Sequence, residues 1–157
     1  MGGSIKTERS STGGGLLGTS GFSMGIDYQW AMTDNFSLNL FLHSSSEDFE
    51  QSTPGVTTTV GHGAFGFGGR IWPTDALFLG LHIGNYSEVI IIDTGFGSFE
   101  ISGSGSGSGV VLGIEADGGF MVAIQRDQAK ISYDDPFFAP TDLVTTRLHF
   151  GYRWSAN

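Results

Sequence analysis

The sequence predicts an all-β protein, an antiparallel up-and-down β-barrel that spans a membrane, and three observations carry that prediction. Long stretches alternate strictly between large apolar and small or polar residues. The face opposite the apolar one is made of Gly, Ser, Ala and Asn, with little of the Lys, Glu and Arg that water would draw to it. Charged residues make up 15% of the chain and 26 of its 157 residues are Gly, a composition that suits a crowded lumen better than a solvated face. If the small residues line a lumen, the large ones point outward, and the solvent that accepts them there is lipid.

The alternation is clearest from Phe22 to Met32, where every even position is large and apolar. Period two is the signature of a strand with one greasy face. It returns at Phe36, Leu38, Leu40 and Leu42, at Leu77, Leu79, Leu81 and Ile83, and at Leu148, Phe150, Tyr152 and Trp154. Strands are expected at 16–32, 36–46, 57–72, 76–92, 98–116, 119–133 and 142–154. Seven strands are therefore readable, whereas single-chain bacterial barrels have an even number and eight are expected. The last strand runs toward the short-turn side, so one further strand is required before residue 16. Ile5 is the only apolar residue between Ser4 and Ser11, too little to coat a lipid-facing strand. The expectation is a tail, loop or weak strand over 1–15, a barrel over 16–154 and a tail over 155–157. The favoured reading is a barrel lacking its first stave, with open edges that destabilise it or recruit another chain.

The connections divide into two kinds. Thr33-Asp34-Asn35, Pro73-Thr74-Asp75 and Ala116-Asp117-Gly118-Gly119 are tight turns. Trp30, Phe36, Trp72, Phe78, Phe120, Tyr152 and Trp154 flank that side and are expected to form an aromatic girdle at one membrane interface. Long acidic loops are expected on the other side, at 44–57 and 133–142. The Ser-Gly repeat over 102–109 has the composition of a flexible linker, but it keeps period two into Val110, Leu112 and Ile114 and is read as strand.

Composition excludes several classes. No apolar run approaches the roughly 18 residues of a membrane helix. A net charge of −9, from 16 acidic and 7 basic residues, excludes a nucleic-acid partner. Without Cys there is no disulfide, thiolate metal site or thiol nucleophile. The N-terminus does not read as the basic, apolar leader that export requires, so Met1-Gly-Gly-Ser is expected to be a processed, recombinant or misassigned start.

Projected onto strands, the lumen face collects Asp27, Gln29, His43, Arg70, His82, Glu115, Arg147, His149 and Arg153. In a narrow barrel these are expected to pair into an ionic network that fills the interior, in preference to lining a conducting path. His43, Ser45 and Glu47 share a face and offer base, nucleophile and carboxylate. Phe41-Leu42-His43-Ser44-Ser45 resembles the His-x-Ser strand motif of outer-membrane lipid A deacylases over three residues. It lacks the Asn after the Ser, and alternation points the pair toward the lumen, away from a lipid substrate. Arg126 and Lys130 continue the outward phase of Phe120, Val122 and Ile124, whereas Ile131 and Tyr133 suggest that the phase flips. A bulge at 125–127 is expected to do this, the alternative being two cations facing lipopolysaccharide phosphates. The four His lie on four strands without ligand spacing, and the glycines at 66–69 lack the Lys-Ser/Thr pair of a phosphate loop, so no metal, nucleotide or other cofactor is expected.

The rhythm, the turns and the terminal Arg147-Leu-His-Phe-Gly-Tyr-Arg-Trp154 resemble the small bacterial outer-membrane β-barrels, the OmpW, OmpX and opacity-type proteins, over nearly the whole length. The resemblance implies an eight-stranded Gram-negative outer-membrane barrel in contact with lipid and lipopolysaccharide, its last aromatic strand read by the barrel-assembly machinery. The chain departs in placing Ser155-Ala-Asn after Trp154. A non-enzymatic structural or surface-interaction role is expected, with a narrow porin for small or hydrophobic solutes as the alternative and a lipid A hydrolase behind it.

Overall fold

The computed structural model describes residues 2–10, 21–50 and 55–153, with side chains described for 21–48 and 55–153. Eight strands follow one another: β1 (Gly2–Ser10), β2 (Gly21–Thr33), β3 (Phe36–Glu50), β4 (Thr57–Ile71), β5 (Leu77–Asp93), β6 (Ser98–Glu115), β7 (Phe120–Tyr133) and β8 (Thr141–Tyr152). Each pairs antiparallel with the next, and β1 pairs with β8 from Gly2↔Phe150 to Ser10↔Asp142, closing the barrel. The missing stave is thus present, against the favoured expectation. Its polar side chains argued against a strand, but closure is made by backbone N–H and C=O groups, which every non-proline residue carries. Residues 16–20, the N-terminal part of the strand expected over 16–32, and Trp154 lie outside the described residues.

The short turns close as their residues demand. Gly118 and Gly119 both take positive φ, 89° and 87°, and Ala116 N–H reaches Phe120 O at 2.8 Å. Two consecutive left-handed residues give the hairpin the twist of the strands it joins. Leu77 N–H is held by Thr74 Oγ1 at 3.0 Å. At the opposite end the expected loop over 44–57 is shorter than its polarity suggested: β3 continues to Glu50, which faces Thr57 across the ladder. The Ser-Gly repeat lies wholly within β6.

The outer surface has two zones. Near the short turns it is apolar, with Leu40, Leu79 and Phe150 all exposed. On β2 the apolar positions run from Phe22 to Met32, about 25 Å along the membrane normal for a strand tilted about 40°; on the other strands with described side chains they span less, from Phe36 to Leu42 on β3 and from Phe120 to Ile124 on β7. On the other described strands the band stops in step. Leu42 gives way to Ser44, Phe65 to Gly63, Ile83 to Asn85, Val110 to Ser108, Ile124 to Arg126 and Leu148 to Thr146. Beyond that edge the outward face is mostly Ser, Thr, Gly, Gln and Asn. The unexpected length of β3 has the same origin: the strand outlasts the hydrocarbon, so its outward residues turn polar while pairing continues.

Candidate functional site

Among the described residues the interior is filled in layers, and alternation decides what fills them. Near the short turns Trp72, Phe78, Val111, Met121 and Ala123 form a buried cluster. The Arg70 guanidinium lies 5.3 Å from the Phe78 ring centre, and Arg153 lies 5.5 Å from that of Trp72 while its Nη2 meets Glu115 Oε1 at 2.6 Å. Trp72 and Phe78 were expected in the girdle, and the structure corrects this. Ile71 and Leu79 face outward, so the residues beside them must face in. Trp30, Phe36, Phe120 and Tyr152 are exposed at the short-turn end.

Above that plug lie the ionic groups. Arg70 Nη2 donates to Asp27 Oδ2 at 3.0 Å, and His43 Nε2 stands 3.6 Å from Asp27 Oδ1. Asp127 is the hub of a larger set. Arg147 Nη1 donates to its Oδ2 at 2.5 Å, His82 Nε2 lies 2.5 Å from its Oδ1, Gln125 Nε2 donates to both oxygens at 3.1 and 3.0 Å, and Thr145 Oγ1 donates at 3.3 Å. His149 is buried with its ring 5.5 Å from that of His43, and Gln29 is half-buried on the same face. A carboxylate with several donors around it keeps its charge tolerable away from water.

Toward the long-loop end the interior turns apolar again, with Phe41, Ala64, Tyr86, Ala129, Ile131 and Leu143 in one cluster. His62 sits between two buried carboxylates, its Nε2 3.5 Å from Glu47 Oε1 and its Nδ1 3.5 Å from Glu88 Oε2, and Tyr133 Oη donates to Glu88 Oε1 at 2.6 Å. Alternation puts Glu47 on the inward face with His43, and it meets His62 there; His62, Glu88, Gln125 and Asp127 are not among the expected lumen residues. Parity with Phe65 and Phe67 finds His62. Asp127 was hidden by the expected bulge. The β7–β8 register is unbroken from Phe120 to Ile131, so no bulge exists at 125–127. Ile131 and Tyr133 face inward because this part of the barrel has an apolar core, and Arg126 and Lys130 stay exposed.

Between these layers little space is left. The void bounded by Asp27, His43, Arg70, His82 and Gln125 has a volume of about 10 Å³, room for one water at most. His43 and Ser45 are both buried, and the nearest described imidazole contact of Glu47 is with His62, not His43, so the three residues with triad chemistry do not assemble toward lipid.

The long-loop rim is acidic and aromatic. Phe96 and Phe137 are 104% and 93% exposed, beside Asp93, Glu100, Asp134 and Asp135. Both loops are braced: Asp93 Oδ1 accepts from Gly95 N–H at 2.9 Å, Asp135 Oδ1 from Phe137 N–H at 2.9 Å, and Asp134 N–H donates to Ser102 O at 3.0 Å.

Two solved structures superpose on nearly the whole barrel. Ail, the attachment invasion locus protein of Yersinia pestis, in complex with the heparin analogue sucrose octasulfate, matches with a TM-score of 0.74 at 16% identity, over 98% of this chain and 95% of that one. The chain has the fold of the small outer-membrane β-barrels. Neisserial surface protein A matches the same barrel with a TM-score of 0.55 at 10% identity, over 94% and 92% of the two chains. No family model and no curated protein matches the sequence.

Proposed function

We propose that this protein is a non-enzymatic barrel of the bacterial outer membrane that acts at the cell surface, its lumen serving as a rigid plug and its rim as the contact surface. The filled interior carries this reading: a cavity of about 10 Å³ offers no path to a solute. The expected lumen residues Asp27, Gln29, His43, Arg70, His82, Glu115, Arg147, His149 and Arg153 then have a structural role, and Trp30, Phe36, Phe120 and Tyr152 mark the periplasmic interface. The partners of the barrel wall are outer-membrane lipid and lipopolysaccharide, and the strand ending at Tyr152 is what the assembly machinery reads.

The rim argues for a partner unlike the sulfated sugar named in the Ail structure. Asp93, Glu100, Asp134 and Asp135 repel a polyanion, while braced, exposed Phe96 and Phe137 suit a cationic partner with an apolar face. The test is reconstitution in planar bilayers together with binding of the same preparation to immobilised basic peptide and to heparin. No unitary conductance, retention on the basic peptide and none on heparin are expected. Reproducible conductance steps would replace this function with the porin alternative.

A further inference from the structure

The lipid-facing band is not smooth. A groove of about 700 Å³ crosses it from Trp30 on β2, past Leu40, Phe67 and Leu81, to Val110 and Ser108 on β6. That volume lies within the range of small-molecule sites, and the walls are almost wholly apolar. The groove begins close to the β2–β3 turn and ends at Ser108, the first polar outward residue beyond Val110. It therefore runs from the interior of the hydrocarbon up to the edge of the band.

At that upper edge stands Arg126. It is the register partner of Val110, and Gln128 beside it partners Ser108. Of the arginines with described side chains, Arg70, Arg147 and Arg153 each pair with a carboxylate. Arg126 is exposed and has no such partner among the described residues; across the β7–β8 ladder it faces Thr146, whereas Lys130 faces Asp142. At the edge of the band an exposed guanidinium is tolerated, and a lipid phosphate at that level is the acceptor it would find. An apolar trough one strand away, ending in a hydroxyl, an amide and that guanidinium, has the order of groups of a phospholipid read from tail to head.

We infer that the β2–β6 groove is a lipid-binding site that holds one acyl chain of a phosphate-bearing lipid of the long-loop leaflet, with Arg126 on the phosphate. The site rests on the membrane-spanning reading above. It explains why, among the arginines with described side chains, the one outside the lumen lies at the band's edge, one strand from the groove.

The full chain, folded in detergent, is titrated with dimyristoyl phosphatidic acid and the bound lipid counted by native mass spectrometry, folding being checked by heat-modified gel mobility. One lipid is expected per barrel. Arg126→Gln should weaken it roughly tenfold, the loss of one charge-assisted hydrogen bond. Leu81→Trp or Ile83→Trp, which fill the groove from an outward position, should abolish it, and Lys130→Gln should leave it unchanged. Equal binding by the parent, Arg126→Gln and the groove-filling variants overturns the site. So does an equal loss in Lys130→Gln, which would mark unspecific attraction, or full competition by glycerol phosphate, which would dispense with the groove. A parent chain with neither mobility shift nor β signal would instead overturn the membrane-barrel reading on which the site rests.

Discussion

Replacing Asp127 by Ala removes the acceptor that four interior side chains share: His82, Gln125, Thr145 and Arg147. Simple addition would overstate the effect, because two of the donors have other recourse. Gln125 Nε2 is already 3.4 Å from His82 Nε2, and a neutral imidazole tolerates burial. Arg147 has none: it is 2% exposed and cannot shed its charge. Stranding a buried charge costs about 3–5 kcal/mol, so a loss of about 4 kcal/mol is expected, close to a thousandfold in the unfolding equilibrium. The double variant Asp127→Leu/Arg147→Met removes both charges and should cost less than Asp127→Ala alone, about 1–2 kcal/mol, since a packed apolar pair replaces an ion pair at little net cost. Urea titration of the barrel in thin-bilayer vesicles, followed by tryptophan fluorescence and gel mobility, measures both. A single-variant loss under about 1 kcal/mol, or a double-variant loss equal to the sum of the singles, would refute the hub.

Three further outcomes test the layers of the barrel by the same titration. Leu79→Arg, in the apolar band, should cost about 2–4 kcal/mol, while Ser106→Arg, on the outward face beyond the band, should change stability by no more than about 0.5 kcal/mol; equal costs would mean that the band does not end where its residues turn polar. Ile131→Ala, fully buried among Phe41, Leu143 and their neighbours, should cost about 2–5 kcal/mol through the cavity it opens, and a neutral result would deny the upper barrel a packed core. Gly105→Ala drives a methyl group against the Lys130 carbonyl oxygen and should cost about 1–3 kcal/mol, whereas Gly97→Ala, with open space around it, should be tolerated; reversed sensitivities would contradict the β6–β7 approach.

Much of this barrel can be read from the chain because a strand's two faces belong to alternate residues. That period placed Leu40, Leu79 and Phe150 outside and Asp27, His43 and Arg147 inside without coordinates. Applied strictly it would also have turned Trp72 and Phe78 inward, where a preference for aromatics at interfaces misplaced them. It would have kept Ile131 and Tyr133 inside as well, where the assumption of an all-polar lumen called for a bulge.

Three things needed the tertiary structure. Barrel closure through Gly2–Ser10 is a backbone event between the two ends of the chain, indifferent to side-chain polarity and so silent in the sequence. The meeting of Asp127 with Arg147 and His82 depends on the stagger between strands, because period two assigns a face but not a height. Height also separates the two zones of the wall, since strands of different lengths and directions must lose their apolar outward residues at one common level for a membrane surface to lie there. Sequence alternation therefore determined which way each side chain points; the register of eight tilted strands decided which of them meet.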